Sequence, residues 1–98
     1  MLTRIVKLTF KEENISSFEA LFKETKNTIR NFEGCQFLEL YQDNANPHIF
    51  FTYSKWRDET ALEAYRKSDF FKSVWSRTKE LFQDKAEAWS VSKRASSV

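Results

Sequence analysis

The chain is poor in the residues that break or staple a fold. Its 98 residues include one glycine, one proline, one cysteine and one histidine. A single cysteine excludes an internal disulfide, and no stretch has the pattern of a secretory leader. One histidine and one cysteine among scattered carboxylates show no ligand spacing, so no metal is expected. No run approaches the roughly 20 apolar residues of a membrane span. A dominant charge is missing as well. The 16 Lys and Arg against 14 Asp and Glu leave a net charge of +2, and both signs are interspersed, which gives no broad basic field for nucleic acid or an anionic membrane. The expectation is a cytoplasmic protein with no nucleic-acid or membrane partner. Internal repeats and low-complexity segments are also absent.

What the chain does have is aromatic bulk. Ten Phe, three Trp and three Tyr supply the material for a real core, and the length suits one domain that buries roughly 60 to 65% of its unfolded surface. Residues 1–92 are expected to form that domain, with 93–98 as a polar tail. A margin so small makes self-association useful.

In chain order, Leu2, Val6, Leu8 and Phe10 alternate with Thr3, Lys7 and Thr9, which predicts a first strand. Asn14 is placed to cap a helix whose Ile15, Phe18, Leu21, Phe22, Thr25 and Ile29 share one face. Gly34 ends it, because a residue without Cβ enters the left-handed conformation freely. A second strand follows over 35–42, then the turn Asp43-Asn44-Ala45-Asn46-Pro47. Residues 48–56 predict a third strand with His48, Phe50, Thr52, Ser54 and Trp56 on one face and Ile49, Phe51, Tyr53 and Lys55 on the other. Asp58 caps a helix carrying Ala61, Leu62 and Tyr65. A bend at Ser68 precedes a second helical segment extending to Phe82, and residues 86–91 make a short last strand.

Strand, helix, strand, strand, helix, strand is the ferredoxin-like split βαβ order, an α+β fold with a four-stranded antiparallel sheet and its helices on one face. The other face stays open. It must hide some of Phe37, Tyr41, Phe50, Phe51, Tyr53, Trp56 and Trp89, and a homodimer through that open sheet face does so.

The run F-x-x-Y-x-x-W-R-D-x-x-A-L-x-A-Y-x-x-S-x-x-F, from Phe50 to Phe71, resembles the central motif of the antibiotic biosynthesis monooxygenase family of dimeric α+β barrels. Trp56, Arg57, Asp58, Ala61, Leu62, Ser68 and Phe71 fit the family pattern. Ser54 stands where many members have Glu, and Tyr65 where they have a helix His. The resemblance implies a cofactor-independent monooxygenase acting on a small aromatic or quinol ligand: a deprotonated hydroquinone or anthrone reduces O₂ itself, while the protein supplies a dry aromatic pocket and a proton donor or acceptor. The two departures motivate an alternative, a catalytically degenerate member that binds a small ligand.

Tyr65 and His48 are the candidate catalytic residues. A phenol beside an apolar cavity stabilises a developing oxyanion, and Tyr65 occupies the position of the family His. His48 has the pKa of a general base, although no partner for it is visible in the sequence and a structural or exposed role is the commoner one for a lone His. Tyr53, Ser54, Trp56, Phe71 and Trp75 are the candidate substrate-binding residues. Plain core packing competes with that reading for Tyr53, Phe71 and Trp75, as it does for Tyr41. Cys35 is expected to be a buried, inert strand thiol. Haem degradation, found in one branch of the superfamily, needs an axial His on the helix where this chain has Tyr65. An RNA recognition motif shares the element order but normally carries glycine within its aromatic signature, and residues 48–56 contain none.

Overall fold

A computed structural model describes residues 1–98. Strand β1 (Leu2–Phe10) leads through a short 3₁₀ turn (Glu12–Asn14) into helix α1 (Ile15–Arg30), followed by β2 (Cys35–Gln42), β3 (Ile49–Trp56), α2 (Glu59–Lys67), α3 (Asp69–Lys79) and β4 (Phe82–Val91). The sheet order is β2-β3-β1-β4, antiparallel throughout. This is the ferredoxin-like α+β arrangement. No helix is long and apolar enough to cross a membrane.

Local chemistry explains the boundaries. Gly34 has φ +85, and a Cβ there would collide with the side chain of Ala61, so the turn after α1 needs glycine both for its backbone and for the close approach of α2. The Asp58 carboxylate accepts from the Ala61 backbone N–H at 2.9 Å and starts α2. Ser68 is extended and closes α2 while opening α3: its hydroxyl donates to the Tyr65 carbonyl at 2.6 Å and accepts from the Phe71 N–H at 3.1 Å. The bend expected at Ser68 follows from that double use of one side chain. Between β2 and β3, the Asp43 carboxylate accepts from the backbone N–H groups of Ala45 and Asn46, at 3.1 and 2.7 Å, which tightens the turn.

Two local expectations are corrected. Asn14 sits at the start of α1, but its side chain caps nothing; the amide donates instead to the Leu81 carbonyl at 3.3 Å and ties the helix start to the α3–β4 turn. The last strand begins at Phe82, not at 86, and α3 stops at Lys79. Leu81 and Phe82 carry helical spacing in the sequence. Phe82, however, pairs with Phe10 across the sheet and its ring packs 5.4 Å from the Phe10 ring, a tertiary contact that overrides the local pattern.

The alternation along β3 assigns its faces. Phe50, Ser54 and Trp56 are buried beneath the helices, whereas Phe51, Tyr53 and Lys55 lie on the open face. Phe50 and Trp56 therefore leave the set expected to need cover on the open side. There Tyr53 meets the edges of Phe37 and Tyr41, Lys55 lies 5.1 Å over the Phe37 ring, and Tyr41, Trp89 and Val91 remain exposed.

Under the helices the core divides into two groups. One is Leu8, Phe10, Phe18 and Phe50; the other gathers Ile29, Cys35, Trp56, Ala61, Leu62 and Tyr65. The gap between them positions the candidate site.

Candidate functional site

A cavity of about 260 Å³ lies between the sheet and the helices, and it draws walls from both core groups. Phe18 and Leu8 close one end, and Trp56, Leu62 and Tyr65 the other. Space remains because β4 contributes only Ala86 and Ala88 to this wall. Small side chains on an edge strand leave room that the bulky residues of β1 and β3 would have filled.

Aromatic rings organise the lining. Tyr65 stacks on Trp56 with centroids 5.0 Å apart and an interplanar angle of 26°. Phe71 meets Tyr65 edge-on at 5.0 Å and lies nearly parallel to Trp75 at 6.0 Å and 11°. The order Trp56, Tyr65, Phe71, Trp75 is thus a continuous chain of ring contacts running from β3 through α2 to α3. Ser54 lies beside Trp56 and accepts from its indole N–H at 3.0 Å. Five of the expected site residues, Tyr65, Ser54, Trp56, Phe71 and Trp75, line this single space.

Polar groups there are few. The hydroxyls of Thr25 and Thr78 turn back on their own helices, donating to the carbonyls of Leu21 and Val74 at 2.8 and 2.7 Å. Burial, with a smaller contribution from Cys35, lifts the Tyr65 phenol above its ordinary pKa, so the hydroxyl holds its proton throughout the neutral range. A protonated phenol in an apolar wall donates a hydrogen bond and does not abstract a proton. Cys35 is itself buried and its thiol is pushed up by burial, consistent with an inert residue.

The charged lining consists of two residues that sequence reading passed over, Arg4 and Arg66. Arg4 follows Leu2 and precedes Val6 on the helix-facing side of β1, and Nη1 donates to the Ser90 hydroxyl at 3.0 Å. Arg66 follows Tyr65 on α2 and pairs with Glu63 at 2.8 Å. Partial burial pushes the Arg4 guanidinium down, Arg66 pushes it further the same way, and Glu63 opposes both. The signal was available: Arg4 is the one charge in the apolar alternation of the first strand.

Two expected residues lie elsewhere. Tyr53 is on the open face because odd and even positions of a strand point to opposite sides. His48 precedes the N-terminal end of β3, where its Nδ1 lies 2.9 Å from the Phe10 carbonyl. An N–H on Nδ1 donates to that oxygen. His48 does not line the cavity: it sits beside Phe10, beyond the end that Leu8 and Phe18 close, with its ring turned to the Phe10 carbonyl.

The comparisons with known proteins bear on this architecture. The family model described as antibiotic biosynthesis monooxygenase matches residues 1–75. A conserved protein from Methanosarcina mazei is 28% identical, with 96% of this chain and 94% of that chain covered and a TM-score of 0.89. A Pseudomonas aeruginosa protein is 27% identical, covering 96% and 94%, at TM-score 0.83. A variant of SnoaB, a cofactor-independent oxygenase from Streptomyces nogalater, shares the fold at 16% identity, 98% and 95% coverage and TM-score 0.87. No curated protein matches the chain at a significant level.

Proposed function

The chain belongs to the antibiotic biosynthesis monooxygenase family, and from that premise we propose that it is a cytoplasmic, cofactor-independent monooxygenase acting on a small aromatic or quinol substrate. The observation that carries this reading is the cavity of about 260 Å³ walled by the contiguous rings of Trp56, Tyr65, Phe71 and Trp75. Flat aromatic walls suit a flat aromatic ligand, and the volume favours a small one.

The chemistry needs little from the protein. For an anthrone-like carbon, loss of a proton to water before the ring is enclosed leaves a carbanion electron-rich enough to give one electron to O₂. The resulting radical pair combines to a C–O bond, the peroxide takes up a proton, and elimination of water leaves a carbonyl. One oxygen atom ends in the product and the other in water. The side chains would orient the ring, exclude bulk water and hold a proton at Tyr65 Oη for the developing oxyanion. Tyr53, on the open face, and His48, beside Phe10 and outside the cavity lining, are assigned no step in this mechanism.

The same reading includes a homodimer through the open face, supported by the exposure of Tyr41, Trp89 and Val91 beside the Phe37–Tyr53 pair.

One observation favours the second reading, a degenerate member that binds a small ligand: neither a carboxylate nor an imidazole lines the cavity. Oxygen uptake by metal-free protein against hydroquinones, anthrones and catechols separates the two. Turnover above the buffer rate, reduced in Tyr65→Phe and unchanged in His48→Ala, supports the oxygenase. Ligand binding without uptake for any compound supports the binder.

A further inference from the structure

We infer that the cavity takes its aromatic ligand as an oxyanion, a phenolate or enolate, with the charged oxygen held between the guanidinium groups of Arg4 and Arg66. The inference rests on the aromatic-ligand reading of the cavity and adds the ionisation state in which that ligand is bound.

The charge distribution supports it. Arg4 and Arg66 are the charged residues on a wall that is otherwise aromatic, aliphatic or neutral. Arg4 forms none of the ion pairs in the protein; its one side-chain bond, to the neutral Ser90 hydroxyl, leaves further N–H donors free. Glu63 balances one of the two cations through its pair with Arg66. From α2 the groups facing Arg4 are Arg66 and Glu63. The cavity-lining residues of α1, α3, β3 and β4 carry no charge. The local sum is one positive charge in excess, next to an apolar space. Burial first, and then Arg66, disfavour the charged form of Arg4, while Glu63 offsets part of that effect. An anion seated between the two groups would relieve that repulsion, and it would gain charge-assisted bonds that a neutral ligand lacks.

The arrangement also replaces something the site lacks. With no general base in the wall, ionisation of a phenol or enol has to be driven by stabilising the product anion. The O–H bond breaks, the electron pair stays on oxygen facing the guanidinium groups, and the proton leaves to water. A site that prefers the anion lowers the ligand's own pKa, and the electron-rich form that reacts with O₂ then accumulates at neutral pH.

The test uses 4-nitrophenol, whose anion has its own visible absorbance, and 4-nitroanisole, the methyl ether that cannot ionise. Bound 4-nitrophenol is expected to titrate about one pH unit below the free compound, equivalent to about tenfold tighter binding of the anion. The shift should shrink in Arg4→Gln, persist in Arg4→Lys and weaken at about 0.5 M salt. Arg66→Gln gives an independent second variant should Arg4→Gln fail to fold, with thermal melting as the control. If 4-nitroanisole binds while 4-nitrophenol titrates as in free solution, or if its shift survives in both Gln variants, the oxyanion inference is overturned and the cavity reading stands. If neither compound binds, the cavity reading falls and takes the inference with it.

Discussion

The indole N–H of Trp56 donates to the hydroxyl of Ser54 across 3.0 Å, with both residues buried beneath the helices. Ser54→Ala removes the acceptor and leaves a buried donor unpaired. A loss of about 1 to 2 kcal/mol is expected, visible as a fall in Tm on the order of 4 to 16 °C. In a Trp56→Phe background, which has no N–H to satisfy, the same substitution should have little further effect. Equal losses in both backgrounds would show that the pair contributes nothing.

Tyr65 gives a pH signature at the alkaline end. Its phenol is lifted above the ordinary value by burial, so between about pH 10, where an unfolded tyrosine ionises, and the higher folded pKa the unfolded state holds fewer protons than the folded one. Stability contributed by the buried neutral phenol is complete below that window and is lost as pH rises through it. Urea midpoints of the wild type should fall more steeply above about pH 10 than those of Tyr65→Phe, with a limiting difference of about 1.4 kcal/mol per pH unit. Parallel profiles would place the phenol in water and not in the wall.

Gly34 couples backbone to packing. Gly34→Ala forces a side chain into the left-handed region and against Ala61, and a loss of about 2 to 4 kcal/mol is expected from strain and overpacking together. Adding Ala61→Gly should recover the steric part, read as a partial return of the denaturation midpoint. No recovery would assign the whole effect to φ.

The proposed homodimer through the open sheet face has a direct test. Sedimentation equilibrium should return twice the 11.7 kDa chain mass, and Trp89→Arg, together with Tyr53→Arg, should shift it to one chain mass because buried unpaired cations oppose a face-to-face contact. A double variant that remains dimeric would move the interface elsewhere.

Much of the fold was legible because local pattern and tertiary structure agree. The faces of β1 and α1, the Asp58 and Ser68 caps and the glycine after α1 were all readable in the chain. The misreadings fell where a distant partner overrode a local preference. Asn14 turned to Leu81, and Phe82 left the helical pattern for Phe10. In the candidate site, Tyr65, Ser54, Trp56, Phe71 and Trp75 line one cavity; the resemblance to the family motif singled them out, while their spacing alone reads equally as core packing. Tyr53 went to the opposite face by strand parity, and His48 turned to the Phe10 carbonyl outside the cavity lining.

The amino-acid order alone determined the elements, their sequence and the aromatic supply, since periodicity and capping act within a few residues. Only the tertiary structure decided that Ala86 and Ala88 leave a cavity, and that Arg4 and Arg66, distant in sequence, face the same space. The physical reason is range. A cavity is set by volumes contributed from separate elements, and a field by charges that meet only after the chain has closed on itself.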